Sequence, residues 1–464
     1  MRFGGVVKKL IFMLGNKSMK QNIYKTVLFS IAIVASLTSC RKESEVSGIV
    51  NPNNRICKTF SQQFDAVWNG MSQGYMFWGR DTVDWDQRYE QFKPVFEAFD
   101  ARPASNPVTP SEYNAAYQGL FQGLLDHHLY GKFTVPKGQY EAIVSPGMND
   151  YYHPDSYADM ERREELRVLQ QRLDFVQGSY YAYDPEDYGS FTIPGMYCAL
   201  LKLRQGQYIG YFRFTSFYLS NVHTYYSILP QNDAVQEPLR KFYGPRYWDG
   251  VNSEGGYASD ESVVGLIIDL RGNGGGSTAD LIPFIGSLSQ SSTLVGYTRV
   301  KDGFGRLDYS PWSKYIVGCP NLHLRKAKPI VVLSDINSVS CAELATMLIK
   351  NLPNGTFIGE RTYGAVGALW PDSEHQHDYF YSGCFGDYDY YQYGRDIYRY
   401  KDFYPYYVYT STYHMVDCDY NDIEGVGVKP DIEVLFNWNT LRNNQKDLQL
   451  NAAVDHIRKA TREQ

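Results

Sequence analysis

The chain has 464 residues, of which 43% are apolar and 21% are charged. This composition is typical of a globular protein and excludes a disordered or fibrous chain. The net charge of -6 at pH 7 argues against a nucleic-acid partner, because nucleic-acid-binding proteins need a basic surface. A chain of this length holds about two or three domains.

An apolar run lies near the amino terminus, at residues 25–38, behind Lys20 and Lys25. It ends in Leu-Thr-Ser-Cys at residues 37–40, which resembles the lipobox of bacterial lipoproteins. The resemblance implies that residues 1–39 are a signal peptide and that residues 1–18 are an over-extended start before Met19. It also implies lipidation of Cys40, which would anchor an exported protein to a membrane surface in the cell envelope. The alternative is a buried first helix.

The other six cysteines are scattered and form neither a C-x-x-C pair nor a Cys/His cluster with metal-ligand spacing. Such spacing is the usual sequence sign of a zinc site. We therefore predict no metal site and no cofactor. Disulfide pairing of these cysteines stays open, and the sequence assigns no oligomeric state.

The mature chain divides by its patterning. Residues 40–55 are polar and serve as a linker, and residues 56–130 carry apolar side chains at helical spacing. Within this helical cap domain, Pro110-Ser111-Glu112 predicts a helix start with Ser111 as its cap. Residues 131–205 are less regular, with a charged helix predicted at residues 157–175.

From residue 206 the pattern changes to alternating strands and helices. Continuous apolar runs at residues 208–214, 262–270 and 329–333 are each followed by a turn and a helix. Such runs are typical of a buried, parallel-type sheet with both faces covered. The sequence therefore predicts an α/β core over residues 206–440, preceded by the small helical domain and followed by a C-terminal helix over 441–464.

Two strand–turn–helix junctions could carry chemistry. The first is glycine-rich, with Gly274, Gly275 and Gly276 in a row, so its backbone N–H groups could bind negative charge beside a helix N-terminus; the alternative is a flexible turn. The second contains Ser338 and Ser340 just after a buried strand. A serine there can present its hydroxyl at the sheet edge, or it can simply cap the helix.

Three blocks of sequence resemble the catalytic core of the C-terminal-processing (tail-specific) and tricorn serine peptidases. They are LIIDLRGNGGG, KPIVVLSDINSVSCAELA and FIGERTYGAVG, in that order. The resemblance covers about residues 206–436 and implies a ClpP/crotonase-like core of mixed sheet and helices. In the family pattern S-x-S-x-x-E, Glu343 takes the place of the glutamate, which makes Ser340 the nucleophile.

The base differs from that of the tail-specific enzymes. Their lysine follows the last glycine of a block that ends here at Gly364, and this chain has Ala365 there. A methyl group cannot accept a proton, and Arg361 is no substitute because a guanidinium stays protonated.

The tricorn branch implies a histidine base from the helical region and a supporting glutamate far downstream. Matching its motifs makes His128 the base and Glu424 its partner. His127 occupies the position before the base, and Asp126 could orient either ring. Gly425 replaces the asparagine that follows the glutamate in the family.

The resemblance also implies an oxyanion hole made by N–H groups of the glycine turn, Gly274 or Gly275, and of Cys341. The Cys341 thiol is not expected to be a nucleophile. Arg271 is predicted either to pin the glycine turn or to meet a substrate carboxylate.

These residues predict a serine endopeptidase that cleaves exported polypeptides through an acyl-enzyme. The alternative is a catalytically inactive lipoprotein that binds peptides or glycans. Residues 131–205 lack the pattern of the family's peptide-binding PDZ domain, which places tail recognition in doubt. The tyrosine-rich stretch 386–410 could wall a cleft or extend a sheet.

Overall fold

The structure is a computed structural model that describes most of the chain between residues 57 and 462. The described residues are 57–146, 181–183, 187–188, 191–228, 233–247, 255–303, 305–320, 324, 326–367, 384–386, 402–444 and 446–462. The predicted signal peptide, the linker with Cys40 and the charged helix at 157–175 lie outside them.

Helices are concentrated at the two ends of the described chain and between the strands of the core. The α-helices are α1 (Phe60–Gly74), α2 (Trp85–Asp100), α3 (Pro110–Phe121), α4 (Leu219–Ile228), α5 (Glu237–Tyr243), α6 (Cys341–Lys350), α7 (Trp438–Asn444) and α8 (Leu448–Ala460). No described helix is long and apolar enough to cross a membrane.

The strands of the described residues form four sheets, the largest of seven strands. The strands are β1 (Tyr130–Thr134), β2 (Glu141–Val144), β3 (Tyr181–Tyr183), β4 (Asp187–Tyr188), β5 (Phe191–Thr192), β6 (Met196–Arg204), β7 (Gln207–Phe214), β8 (Val263–Asp269), β9 (Thr293–Val300), β10 (Ser313–Val317), β11 (Ile330–Ser334), β12 (Gly355–Gly359), β13 (Cys384–Gly386), β14 (Tyr406–Tyr409), β15 (Tyr413–Val416) and β16 (Ile432–Glu433).

The helical region is not helical alone, because its core is shared with a four-stranded sheet. That sheet has the order β13-β14-β1-β2, and its Phe133, Val144 and Val408 are buried in one cluster with the apolar faces of α1, α2 and α3. Residues 131–144, predicted to belong to a separate irregular segment, are therefore part of this unit. The two ends of the tyrosine-rich stretch, β13 and β14, extend its sheet, and residues 387–401 between them lie outside the described residues.

The start of α3 differs from the prediction that Ser111 is its cap. Thr109 caps the helix instead, accepting the Glu112 N–H at 3.3 Å, while the Glu112 carboxylate accepts the Thr109 N–H at 2.9 Å. Pro110 then occupies the first helical position, where its missing N–H is not needed.

The core is a seven-stranded sheet with the order β16-β12-β11-β8-β7-β6-β3. Strands β7, β8, β11, β12 and β16 run parallel, and β6 and β3 join antiparallel. The sheet is thus mixed, and it begins with strands that precede residue 206.

Alternating residues of the central strands point into two separate apolar clusters. Leu266 and Ile268 of β8 lie in one cluster with α6, and Ile267 lies in another with α8. Each fully buried side chain of this type stabilises the fold by about 1.5–3 kcal/mol. The predicted α/β core, covered on both faces and preceded by a helical region, is confirmed.

The parallel register brings three turns to one edge of the sheet. Asp269 pairs with Leu333, and Ser334 pairs with Gly359, so the segments that follow β8, β11 and β12 all leave the same edge. These segments are the glycine turn, the Ser340 turn and residues 360–367.

Candidate active site

The glycine turn after β8 lies directly against the Ser340 turn. Gly275 has a φ of +87°, and a Cβ atom there would lie 2.7 Å from the Val339 carbonyl oxygen and 2.8 Å from the Ser340 Cβ. Only glycine allows this approach. A hydrogen bond of 3.0 Å from the Val339 N–H to the Asn273 carbonyl joins the two turns further.

The two predicted glycine donors of the oxyanion hole have different surroundings. The Gly275 N–H donates to Asn273 Oδ1 at 2.9 Å, so this amide is already satisfied and the prediction for Gly275 is corrected. A Cβ atom at Gly274 would meet nothing within 4 Å. Cys341 is the first residue of α6, where an N–H has no acceptor within the helix. Gly274 and Cys341 therefore stay as candidate donors.

Ser340 and Ser338 have different environments. Ser340 is half-buried and has a φ of 58° and a ψ of -118°, a strained conformation for a residue with a side chain. Ser338 is fully buried, and its hydroxyl donates to the Leu270 carbonyl at 2.8 Å and accepts the Asp335 N–H at 3.0 Å. Ser338 is thus a structural residue, and Ser340 is the serine available at the sheet edge.

Glu343, in the first turn of α6, connects the Ser340 turn to residues 362–365. Its buried carboxylate accepts hydrogen bonds from the Ser340 N–H, the Thr362 hydroxyl, and the N–H groups of Gly364 and Ala365. Burial raises the pKa of Glu343, and the hydrogen bonds lower it. The carboxylate sets the shape of the segment that carries Ala365.

A second acidic group, Glu424, connects this segment to the helical region. Its Oε2 accepts the N–H groups of Val366 and Gly367 at 3.1 and 3.2 Å, and its Oε1 accepts the His127 N–H at 3.2 Å. The neighbouring Gly425 has a φ of +72°, and a Cβ there would lie 2.4 Å from Leu125 Cδ1, so a larger residue would require Leu125 to move.

Asp126, His128 and Glu424 form a cluster, in which one nitrogen or oxygen atom of each lies within 4.8 Å of the others. The Asp126 carboxylate accepts the Ser411 N–H and hydroxyl at 2.8 and 2.9 Å and the His128 N–H at 2.9 Å. Asp126 therefore holds the backbone of the His128 loop.

Burial dominates the electrostatics of the cluster. Burial, with the neighbouring His127, lowers the pKa of His128 from 6.5 to about 4, against a hydrogen bond to the Gly367 backbone that raises it. The imidazole is therefore neutral at neutral pH. Burial raises the pKa of Glu424 well above its ordinary value, and the charge of Asp126 raises it further.

His127 occupies the side of the loop that faces the Ser340 segment. Its ring centroid lies 4.7 Å from that of Tyr363, and Tyr363 belongs to a small apolar cluster with Val339 and Ala365. The loop of residues 126–128 thus contacts both Glu424 and the segment that follows β12.

Part of the chain matches a known protein family. Residues 209–434 match peptidase family S41. The chain contains a peptidase family S41 domain. The resemblance noted in the sequence is thereby confirmed, and the S41 domain includes Ser340 and Glu424, whereas Asp126 and His128 precede it.

Solved structures support the same fold. A protein from Parabacteroides merdae ATCC 43184 described as a candidate peptidase covers 86% of this chain and 96% of its own length, with 18% identity and a TM-score of 0.53. Mature CPAF complexed with lactacystin covers 87% of this chain and 98% of its own length, with 13% identity and a TM-score of 0.50.

A curated relative matches over a shorter stretch. The nisin-resistance protein of Lactococcus lactis subsp. lactis is 32% identical over 111 residues, which is 22% of this chain. The match spans 34% of that relative's length.

Arg271 of the S41 domain has a structural position. It is fully buried, and its guanidinium donates to Asp269 at 2.9 Å and to Asp447 and Gln449 at 3.0 Å. These contacts pin the start of the glycine turn to α8. The alternative that Arg271 meets a substrate carboxylate is wrong, because the group is enclosed.

The Cys341 thiol is buried, 3.5 Å from the Ser277 carbonyl oxygen. Burial raises its pKa well above the ordinary value, so the nucleophilic thiolate is disfavoured. The backbone N–H of Cys341, and not its thiol, stays the candidate contribution to the site.

Two residues of the site escaped sequence reasoning. Thr362 lies inside the third family block, which could have indicated it, and it links Glu343 to the Val428 N–H. Ser411 has no motif around it, and only the fold brings it to Asp126. The Asp126, His128 and Glu424 cluster also offers metal-ligand atoms that sequence spacing did not reveal.

Proposed function

We propose that this protein is an exported serine endopeptidase with Ser340 as nucleophile, His128 as general base and Glu424 as the carboxylate that supports His128. The observation that carries the proposal is a continuous series of hydrogen bonds. Glu343 binds the N–H groups of Ser340 and Ala365, and Glu424 binds the next N–H, of Val366, together with that of His127.

In the proposed reaction, the Ser340 hydroxyl attacks the substrate carbonyl while His128 accepts its proton. The N–H groups of Gly274 and Cys341 stabilise the resulting oxyanion, and one such donor is typically worth about 3 kcal/mol. His128 then gives the proton to the leaving amine, which departs from an acyl-enzyme. Water, activated by the same imidazole, releases the acid and restores the serine.

The charge state of the cluster supports this role. A base must be unprotonated before attack, and the lowered pKa of His128 keeps it neutral. The imidazolium that forms during attack would lie beside Glu424 and Asp126, whose oxygens are hydrogen-bond acceptors.

Labelling by a fluorophosphonate probe, together with hydrolysis of an unstructured polypeptide, tests the proposal. We expect labelling on Ser340, and Ser340→Ala is expected to remove labelling and hydrolysis with little change in thermal midpoint. Ser338→Ala is the matched control, because it removes a buried hydroxyl from the same turn and is expected to lower stability while labelling persists.

Hydrolysis that persists in Ser340→Ala would contradict the assignment. Ala365 at the lysine position favours a second candidate, a non-catalytic peptide- or glycan-binding lipoprotein. Absence of labelling in the folded wild-type protein, together with measurable affinity for peptides, would support that candidate instead.

We also propose that the protein is anchored through a lipid on Cys40. The basis is the lipobox-like sequence at residues 37–40. Metabolic labelling with a fatty-acid analogue is expected to modify the wild-type chain, and Cys40→Ser is expected to abolish the label. Label retained in that variant would contradict lipidation at Cys40.

A further inference from the structure

The Asp126, His128 and Glu424 cluster brings two carboxylates and one imidazole together from chain segments that are distant in sequence. One ligand atom of each lies within 4.8 Å of the others. Ligand atoms around a tetrahedral zinc ion are about 3.4 Å apart, given bond lengths of 2.0–2.2 Å. Small rotations of the three side chains would therefore bring them into a common coordination sphere.

A second observation points to a ligand at this place. The Nδ1 atom of His128 is buried and has no hydrogen-bond partner within the described part of the chain. Buried polar atoms nearly always have a partner, so an exception calls for an explanation such as an ion or water. An imidazole ring nitrogen with no hydrogen-bond partner is a suitable metal ligand atom.

The carboxylates already have the outer contacts typical of metal ligands. Backbone N–H groups and the Ser411 hydroxyl orient Asp126, and three backbone N–H groups orient Glu424. Such partners fix ligand orientation in metal sites. Glu424 Oε1 accepts one N–H group, from His127, and Asp126 Oδ2 accepts one N–H group, from Ser411, so one oxygen of each carboxylate retains acceptor capacity for a metal.

We propose that Zn²⁺ binds Asp126, His128 and Glu424 and thereby withdraws His128 from its role as base. The two carboxylates balance the charge of the dication. An imidazole ligand favours zinc, whereas magnesium and calcium prefer oxygen ligands. The inhibitory consequence rests on the proposed function, but the binding of zinc does not.

Calorimetric titration of the full chain with zinc chloride is the test, combined with fluorophosphonate labelling. We expect one zinc ion per chain, loss of labelling when zinc is bound, and recovery after EDTA. Magnesium or calcium chloride is expected to leave labelling unchanged. His128→Ala is expected to abolish zinc binding, and His456→Ala, which alters a histidine of α8 that contacts Thr356, is the control and is expected to retain it.

A second, milder variant keeps the test valid if His128→Ala does not fold. Ser411→Ala removes one hydrogen bond to Asp126 and is expected to weaken zinc affinity about 10-fold, with the fold monitored by circular dichroism. Zinc binding that is absent, or that is unchanged in both variants, overturns the proposal. Labelling that zinc does not affect overturns the inhibition and leaves the peptidase assignment intact. Zinc binding in a chain that never reacts with the probe supports the metal site while contradicting the peptidase.

Discussion

Ser340 and Ala365 share one carboxylate oxygen, because their N–H groups donate to Glu343 Oε2 at 3.0 and 2.8 Å. The position that holds a lysine in tail-specific enzymes is therefore beside the candidate nucleophile in this chain as well. Here it is a buried methyl group in contact with Val339 and Tyr363. A base for the proposed nucleophile would have to come from another segment, and the loop at residues 126–128 contacts this region through His127 and Tyr363.

Replacing Glu343 with glutamine tests whether this shared carboxylate organises the turn. The amide nitrogen of Glu343→Gln would face N–H donors and leave them unsatisfied, so we expect a loss of about 2–3 kcal/mol in unfolding free energy and weaker labelling of Ser340. Urea unfolding followed by tryptophan fluorescence provides the measurement. Glu360→Gln is the control, since Glu360 directly follows β12 and its carboxylate accepts the Phe436 N–H instead of the Ser340 N–H. Equal effects of the two substitutions would show that Glu343 has no special role.

The contrast between two adjacent glycines gives a second prediction. Gly275→Ala would place a Cβ 2.8 Å from the Ser340 Cβ at a φ of +87°, so we expect a loss of about 1–3 kcal/mol together with reduced labelling. Gly274→Ala retains the N–H and enters open space, and we expect a stability change within about 0.5 kcal/mol. Thermal unfolding and probe labelling of both variants are the measurements. A Gly275→Ala variant with unchanged stability and labelling would contradict the packing described.

The pH dependence of labelling follows from the state of His128. The base works only when unprotonated, and its pKa of about 4 predicts a labelling rate that is flat from about pH 6 to 8 and falls only as the pH approaches 4. Because His127 contributes to the lowering, His127→Asn is expected to move this acid limb to higher pH. The rate of fluorophosphonate labelling, measured across this pH range with the folded state checked at each pH, provides the test. An acid limb near pH 6.5 in the wild type would contradict the assignment.

The buried ion pair of Arg271 gives a prediction about stability alone. Arg271→Ala removes the guanidinium that pairs with buried Asp269 and Asp447, while Asp269 keeps Arg213 and Tyr211. We expect a loss of about 3 kcal/mol with faster amide hydrogen exchange in α8. Lys326→Ala removes an exposed ion pair with Glu261 and is expected to change stability by less than about 1 kcal/mol. Unchanged exchange in α8 after Arg271→Ala would argue against this link.

Local patterns were sufficient to predict the core. An α/β sheet is indicated by the apolar runs of β8 and β11 and by the glycines between strand and helix. Each of these signals lies within a short stretch of sequence. Pairings between distant segments leave no such trace. Strand β1 pairs with β14 about two hundred and seventy residues later, so no local pattern indicates that residues 131–144 pack with this distant strand.

Some features of the candidate site can likewise be predicted from local motifs, and others depend on the fold. Ser340 and the absence of lysine at Ala365 could be read from motifs, whereas the engagement of the Gly275 N–H by Asn273 depends on turn conformation. Metal-ligand atoms at Asp126, His128 and Glu424 had no spacing signal, because nearly three hundred residues separate their segments.

The bond from the His127 N–H to Glu424 spans 297 positions of the chain, and this has a consequence for biosynthesis. A polypeptide that emerges amino terminus first carries its imidazole long before the matching carboxylate has been made. Contacts of such long range form slowly and late. The proposed pairing of His128 with Glu424 can therefore arise only after residue 424 has been synthesised.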